Sequence, residues 1–235
     1  MSKTKQILYL AVALALFLSL AACAVGTQEE ENTLLEYPGV SWAATPEEVI
    51  QAMGFPEDRV QTETIDDGYN LGVENWDCFG QEAQRIVFHF APDEAGRKWI
   101  QQIMIFYPED ADMAAVQQAM VAEYGPGVST YTTSYVLRAE GTAGEGETYV
   151  AATEDVTGED GHHYWLSPSV EEYCSPEALQ AMYAANQPAE VQLTEEARST
   201  YWSTHYPVLV ACSSAGNRVW FDAAFLCYLR PYETG

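Results

Sequence analysis

Positive charge is scarce in this chain. Its 235 residues hold ten Lys and Arg against 35 Asp and Glu, a formal charge of −25. Beyond Lys3 and Lys5, Lys98 is the only lysine. A field of that sign repels nucleic acid and anionic lipid headgroups, so neither is expected as a partner. It favours solubility first and cationic partners second. The familiar catalytic and nucleotide-binding signatures are also missing: there is no G-x-S-x-G, H-E-x-x-H, C-x-x-C, P-loop or G-x-G-x-x-G. Their absence removes the standard hydrolase, zinc-protease, thiol-redox and dinucleotide readings. Disorder is excluded by what is abundant, because 48% of residues are apolar and 12% aromatic. That is enough to build a core.

Long uncharged apolar sequence occurs once, in Ile7–Leu20, fourteen residues preceded by Lys3 and Lys5. A comfortable membrane span needs about 20 residues. A basic start, a short apolar stretch and small residues at Ala21 and Ala22 instead make an export signal. Leu20-Ala21-Ala22-Cys23 resembles the lipobox of bacterial lipoproteins. The resemblance implies cleavage before Cys23 and a diacylglyceryl group on its sulfur. It places the mature chain at the cell membrane, on the extracytoplasmic face, with the membrane as a partner through the lipid. Burying acyl chain is worth about 0.8 kcal/mol per CH₂, so two or more chains make a stable tether. Cleavage removes Lys3 and Lys5, which leaves eight basic residues and takes the formal charge from −25 to −27.

The regions expected are a signal peptide at 1–22, an acidic tether at 23–36, and α+β segments at 37–138 and 148–235. The last two are read as two similar lobes or as one continuous domain, divided at the loop EGTAGEGE, 140–147. In TPEEVIQAMGFP, Thr45 caps a helix with Pro46 in its first turn and Glu48 completing a capping box; Gly54 ends it. Asp66-Asp67-Gly68 marks a turn between strands at 59–65 and 69–78. Ile86, Phe88 and Phe90 alternate with polar neighbours in a half-buried strand. WIQQIMIFY, 99–107, reads as a central strand. Asp110 opens a second helix, 111–124, with Met113, Val116, Met120 and Tyr124 on one face. Strands are expected at 128–138, 148–153 and 163–166, and helices at 175–186 and 195–202. The fold class is therefore α+β, an antiparallel sheet with helices packed on one side.

Gly216-Asn217 reads as a two-residue hairpin turn between 206–214 and 218–229. That register opposes Val208 to Phe225 and Cys212 to Phe221, and separates Cys212 from Cys227 along the ladder, which forbids a bond between them. With Cys23 acylated, the even remainder, Cys78, Cys174, Cys212 and Cys227, is open to disulfides or to buried thiols. "QAM" recurs at 51, 118 and 180, in three expected helices, as a repeat or as convergence on ordinary helix residues.

GVSWAATPEEVIQAMGFP, 39–56, followed by antiparallel strands, resembles the helix-and-sheet modules of SmpA/OmlA-type envelope lipoproteins and of β-lactamase inhibitory proteins. Their pattern is a Gly, a Ser/Thr-capped helix, then Leu-Gly-x-Pro; Met53-Gly54-Phe55-Pro56 fits it with Met for Leu. Tyr124-Gly125-Pro126 echoes it only in part. The resemblance implies a binding or bracing role and no catalysis, and carries no binding residue over.

Three residue clusters are candidates for chemistry. His205 with Cys212, Ser213 or Ser214 would make a nucleophile–base pair, against which stands the burial expected of Cys212 in a strand. Glu154, Asp155, Glu159, Asp160, His162 and His163 offer metal-ligand chemistry, but adjacent histidines on a strand point to opposite faces, and an exposed acidic loop is the default. Tyr131, Tyr135, Tyr164, Trp165, Tyr201 and Trp202 flank loops and serve either a stacking surface or core packing. The reading is a lipid-anchored, extracytoplasmic binding protein that is not an enzyme. Its catalytic residues, metal ligands and cofactors are none, and its partner is an envelope protein or an extracellular ligand. The alternatives are an envelope hydrolase and, for a chain short for two large lobes, a solute-binding protein.

Overall fold

The computed structural model describes residues 34–65, 68–92, 96–138, 147–158, 161–186 and 191–229. Cys23 and the rest of the export signal lie outside them. From Leu34 onward the chain is one compact unit.

The fold is α+β. Strands β1 (Val60–Ile65), β2 (Gly68–Cys78), β3 (Gln81–Pro92) and β4 (Lys98–Phe106) form an antiparallel meander. Beside β4 lie β10 (Arg218–Asp222), β9 (Leu209–Ser213) and β7 (His162–Leu166), giving a seven-stranded sheet in the order β1-β2-β3-β4-β10-β9-β7. The ranges 37–138 and 148–235 thus contribute to the same sheet. A second sheet joins β5 (Thr130–Arg138) antiparallel to β6 (Glu147–Thr157), with β8 (Val191–Leu193) parallel to β6.

Helices α1 and α2 pack on one face of the large sheet. Helix α1 (Pro46–Met53) has the expected capping box, with Thr45 and Glu48 as reciprocal partners, and Gly54 closes it at φ 65°. Helix α2 (Met113–Tyr124) starts two residues later than expected, because Asp112 rather than Asp110 accepts from the third amide, that of Ala115. Val49, Met113, Val116 and Met120 pack with the inward strand residues Ile86, Phe88, Ile103, Ile105, Val210, Val219 and Phe221. Short α3 (Val170–Tyr173), α4 (Pro176–Asn186) and α6 (Ala224–Leu229) enclose a smaller cluster of Val170, Leu179, Met182 and Leu229. Helix α5 (Glu195–Ser203), capped by Thr194, lies against β5 and β6. No described helix is long and apolar enough to cross a membrane.

The C-terminal hairpin differs from its expected form. The turn spans four residues, Ser214 to Asn217, and the register opposes Val210 to Phe221 and Cys212 to Val219. Each pairing is displaced by two residues, which preserves the faces, so Cys212 and Phe221 still point into the core. The second strand ends at Asp222, whose carboxylate accepts from the Ala224 amide at 2.9 Å and opens α6. Residues 224–229 are helical because that bond and the apolar seats for Leu226 and Leu229 outweigh β propensity. Cys227 therefore lies in a helix and not on the ladder with Cys212. Cys212 is nonetheless a free, buried thiol, as is Cys78; the Cys227 side chain is outside the described residues.

Candidate functional site

On the face of the large sheet opposite α1 and α2, strand register arranges the side chains in rows; the second sheet approaches its β7 end through the Val128–Tyr164 bridge and the Tyr131 ring, and Ala211, Ser213 and Tyr164 are buried there. From β3 to β7 the first row is Arg85, Phe106, Arg218, Ser213 and His162. The second is Val87, Met104, Trp220, Ala211 and Tyr164, and on the far side of Val87 stands Gly72 of β2. The sequence produces this directly: in Arg218-Val-Trp-Phe-Asp222, Val219 and Phe221 turn inward, so Arg218, Trp220 and Asp222 turn outward.

Phe106 is 36% exposed, large for an aromatic ring at the centre of a sheet. With Gln102, Met104, Arg218 and Trp220 it lines a shallow depression of about 220 Å³. The Arg218 guanidinium carbon lies 5.1 Å from the Trp220 ring centroid, a cation–π contact. Trp220 continues into a chain of rings: His162 at 6.1 Å, then Tyr164 at 6.2 Å, then Tyr131 at 5.1 Å. Across the sheet Arg85 lies over Gly72, whose missing side chain makes the room: a Cβ there would stand 3.0 Å from Arg85 Nη2 and 3.1 Å from Nε. Arg85 Nε is buried with no hydrogen-bond partner. Two arginines in a chain this poor in positive charge thus share one open face with exposed aromatic and thioether surface.

The candidates read from sequence are dispersed. Cys212 is buried and its thiol is pushed up to about 11 by desolvation, so it is not a nucleophile at neutral pH. Ser213 Oγ accepts from the Gly216 amide, and Ser214 Oγ donates to the Gly161 carbonyl. His205 stacks on Tyr201 at 3.7 Å with Nδ1 2.7 Å from the Tyr201 carbonyl oxygen, and burial lowers its pKa. The structure does not unite these groups. His162 and His163 do point to opposite faces, the first toward Trp220 and the second toward Trp165. Asp155 accepts from Thr132 Oγ1, and Glu159 and Asp160 lie outside the described residues. Among the described residues no three His, Cys, Asp or Glu side chains converge.

The aromatic candidates divide. Trp165 is core, its Nε1 donating to the Gly125 carbonyl. Trp202 packs on the smaller cluster. Tyr135 is 45% exposed on β5, and Tyr131 joins the ring chain. The rings of the open face, Phe106 and Trp220, escaped the sequence reading, although the alternation around Phe221 already turned Trp220 outward. No family model matches the chain, and neither a curated protein nor a solved structure matches it.

Proposed function

We propose that this chain is a lipid-anchored, extracytoplasmic binding protein of the bacterial cell envelope, that it engages another molecule through the face of its large sheet opposite α1 and α2, and that it catalyses nothing. One observation carries the reading: Arg85, Phe106, Arg218 and Trp220 stand together on that face, with Phe106 exposed and the rings continuing through His162. Tyrosine, tryptophan and arginine are the residues that concentrate binding energy at interfaces. The anchoring half rests on Lys3, Lys5, the uncharged run Ile7–Leu20 and Leu20-Ala21-Ala22-Cys23. The partial likeness of 39–56 to envelope helix-and-sheet modules points the same way.

Labelling cells with palmitate tests the anchor. Label is expected in the wild-type chain and absent from Cys23→Ser; equal label in both would end the lipoprotein reading. Crosslinking in cells from position 106 tests the binding half.

A further inference from the structure

We infer that the open face binds an extended acidic peptide with carboxylates at positions i and i+4 and an apolar side chain at i+2. This rests on the reading of that face as the binding surface and names its ligand class.

The Arg85 guanidinium leans from the first row toward the second, whereas Arg218 has its Nε beside Gly216 of the turn and its guanidinium carbon against the Trp220 ring. Arg85 lies over Gly72 on β2, and Arg218 lies over Trp220 on β10. Three inter-strand spacings separate β2 from β10, and at about 4.8 Å each the two cations stand about 14 Å apart. The side chains between them on this face are Val87, Met104 and Phe106, none of them acidic. Two acids on this face flank the cations: Glu74 stands directly opposite Arg85 in the register, and Asp222, two residues beyond Trp220, accepts from the Ala224 amide. The site is thus two cations bracketing an apolar floor.

An extended chain advances about 3.4 Å per residue, so side chains at i and i+4 are about 14 Å apart and share a side with i+2. A peptide crossing the strands would set two carboxylates on the two guanidiniums and one apolar group on Met104 and Phe106. Arginine suits carboxylates because its planar fork accepts them in paired hydrogen bonds. Arg85 Nε itself is buried over Gly72, so a carboxylate would meet the terminal nitrogens of that guanidinium. The depression is about 220 Å³, under the roughly 300 Å³ at which small-molecule pockets begin, which favours a ligand laid across the surface over one enclosed by it. The net charge of the chain opposes any anion at long range. That field is screened beyond roughly 8 Å in physiological salt, so the two fixed cations govern the contact.

Calorimetric titration of residues 24–235 with three peptides and one glycan tests this. The peptides are Glu-Thr-Phe-Thr-Glu, Gln-Thr-Phe-Thr-Gln and the respaced Glu-Phe-Glu, all with blocked ends; the glycan is an oligogalacturonate. The first peptide should bind about tenfold more tightly than the second and clearly more tightly than the third. Arg218→Gln and Arg85→Gln should each weaken it about tenfold, with unchanged circular dichroism and thermal midpoint. Equal affinity for the first two peptides, indifference to both arginine variants, or binding of the glycan alone would overturn the ligand class. Crosslinks from position 106 in cells without acidic-peptide affinity would leave the face as a binding surface and remove only this ligand.

Discussion

Gly72 and Arg85 are fitted to each other: the glycine leaves open the space that the guanidinium fills, with Nη2 3.0 Å from where a Cβ would stand. The φ of Gly72 is within the range open to any residue, so the fit and not the backbone explains the glycine. Gly72→Ala should therefore displace the guanidinium with little effect on folding. We expect a loss under about 1 kcal/mol, because the displaced group is the end of a flexible side chain. Affinity for the Glu-Thr-Phe-Thr-Glu peptide should fall, but by less than in Arg85→Gln, because the guanidinium need give only a few tenths of an ångström and keeps its charge. Urea denaturation and calorimetry on the same sample measure both.

Tyr107 and Cys78 hold the far end of the hairpin between β2 and β3. The Tyr107 hydroxyl donates to the Cys78 carbonyl at 2.9 Å, and the Tyr37 hydroxyl donates to Cys78 Sγ at 3.6 Å. Tyr107→Phe removes the side-chain bond to a carbonyl that the β2–β3 ladder still pairs with Gln81, and should cost about 1 kcal/mol in urea denaturation. Tyr37→Phe should cost less, since sulfur is a weak acceptor.

The same cluster makes the fold sensitive to base. Desolvation pushes the thiols of Cys78 and Cys212 up to about 11 from 9.0, and burial raises Tyr37 and Tyr107 beyond their ordinary value of 10.0. Folding keeps these groups protonated where the unfolded chain would release its protons. Their contribution is complete below about pH 9 and is lost as pH rises toward about 11. The urea midpoint should fall over that window, and fall less in Cys78→Ala with Cys212→Ala. Peptide mapping after alkylation at about pH 8 should find both thiols unlabelled in native protein and labelled in urea.

Acid acts through two half-buried imidazoles. Desolvation lowers His205, and it also lowers His89, whose Nδ1 lies 2.8 Å from Asn70 Oδ1; the ordinary value for both is 6.5. Above that value folded and unfolded chains are both neutral and stability is full. Below it the unfolded chain takes up protons first, so stability falls as pH drops through the folded values. Between about pH 7 and pH 5 the urea midpoint should decline, and His205→Gln with His89→Gln should flatten the decline.

Much of the fold was legible because its signals are local. Thr45, Pro46, Glu48 and Gly54 mark both ends of α1 within ten residues, and the alternation of Ile86, Phe88 and Phe90 fixes which face of β3 is buried. Hairpin register was less accessible. Gly216-Asn217 is a valid two-residue turn signal, but the Ser213 hydroxyl accepts from the Gly216 amide and stabilises a wider turn. Residues 224–229 looked strand-like because Phe, Leu, Cys and Tyr suit either structure, and only the Asp222 cap and the seats for Leu226 and Leu229 decide. The open face depends on which strands are neighbours. Arg85 and Arg218 are 133 positions apart and face each other across Phe106 only because β10 pairs with β4. Nothing local announces that pairing, whereas the outward turn of Trp220 could have been read from alternation.

The most direct test is photocrosslinking in intact cells from a benzoylphenylalanine at position 106, beside the same probe at exposed Val121 on α2. A discrete crosslinked species is expected from position 106 that disappears in Arg218→Gln and is not formed from position 121. Crosslinks from position 121 but not from 106, or a species from 106 indifferent to Arg218→Gln, would contradict it.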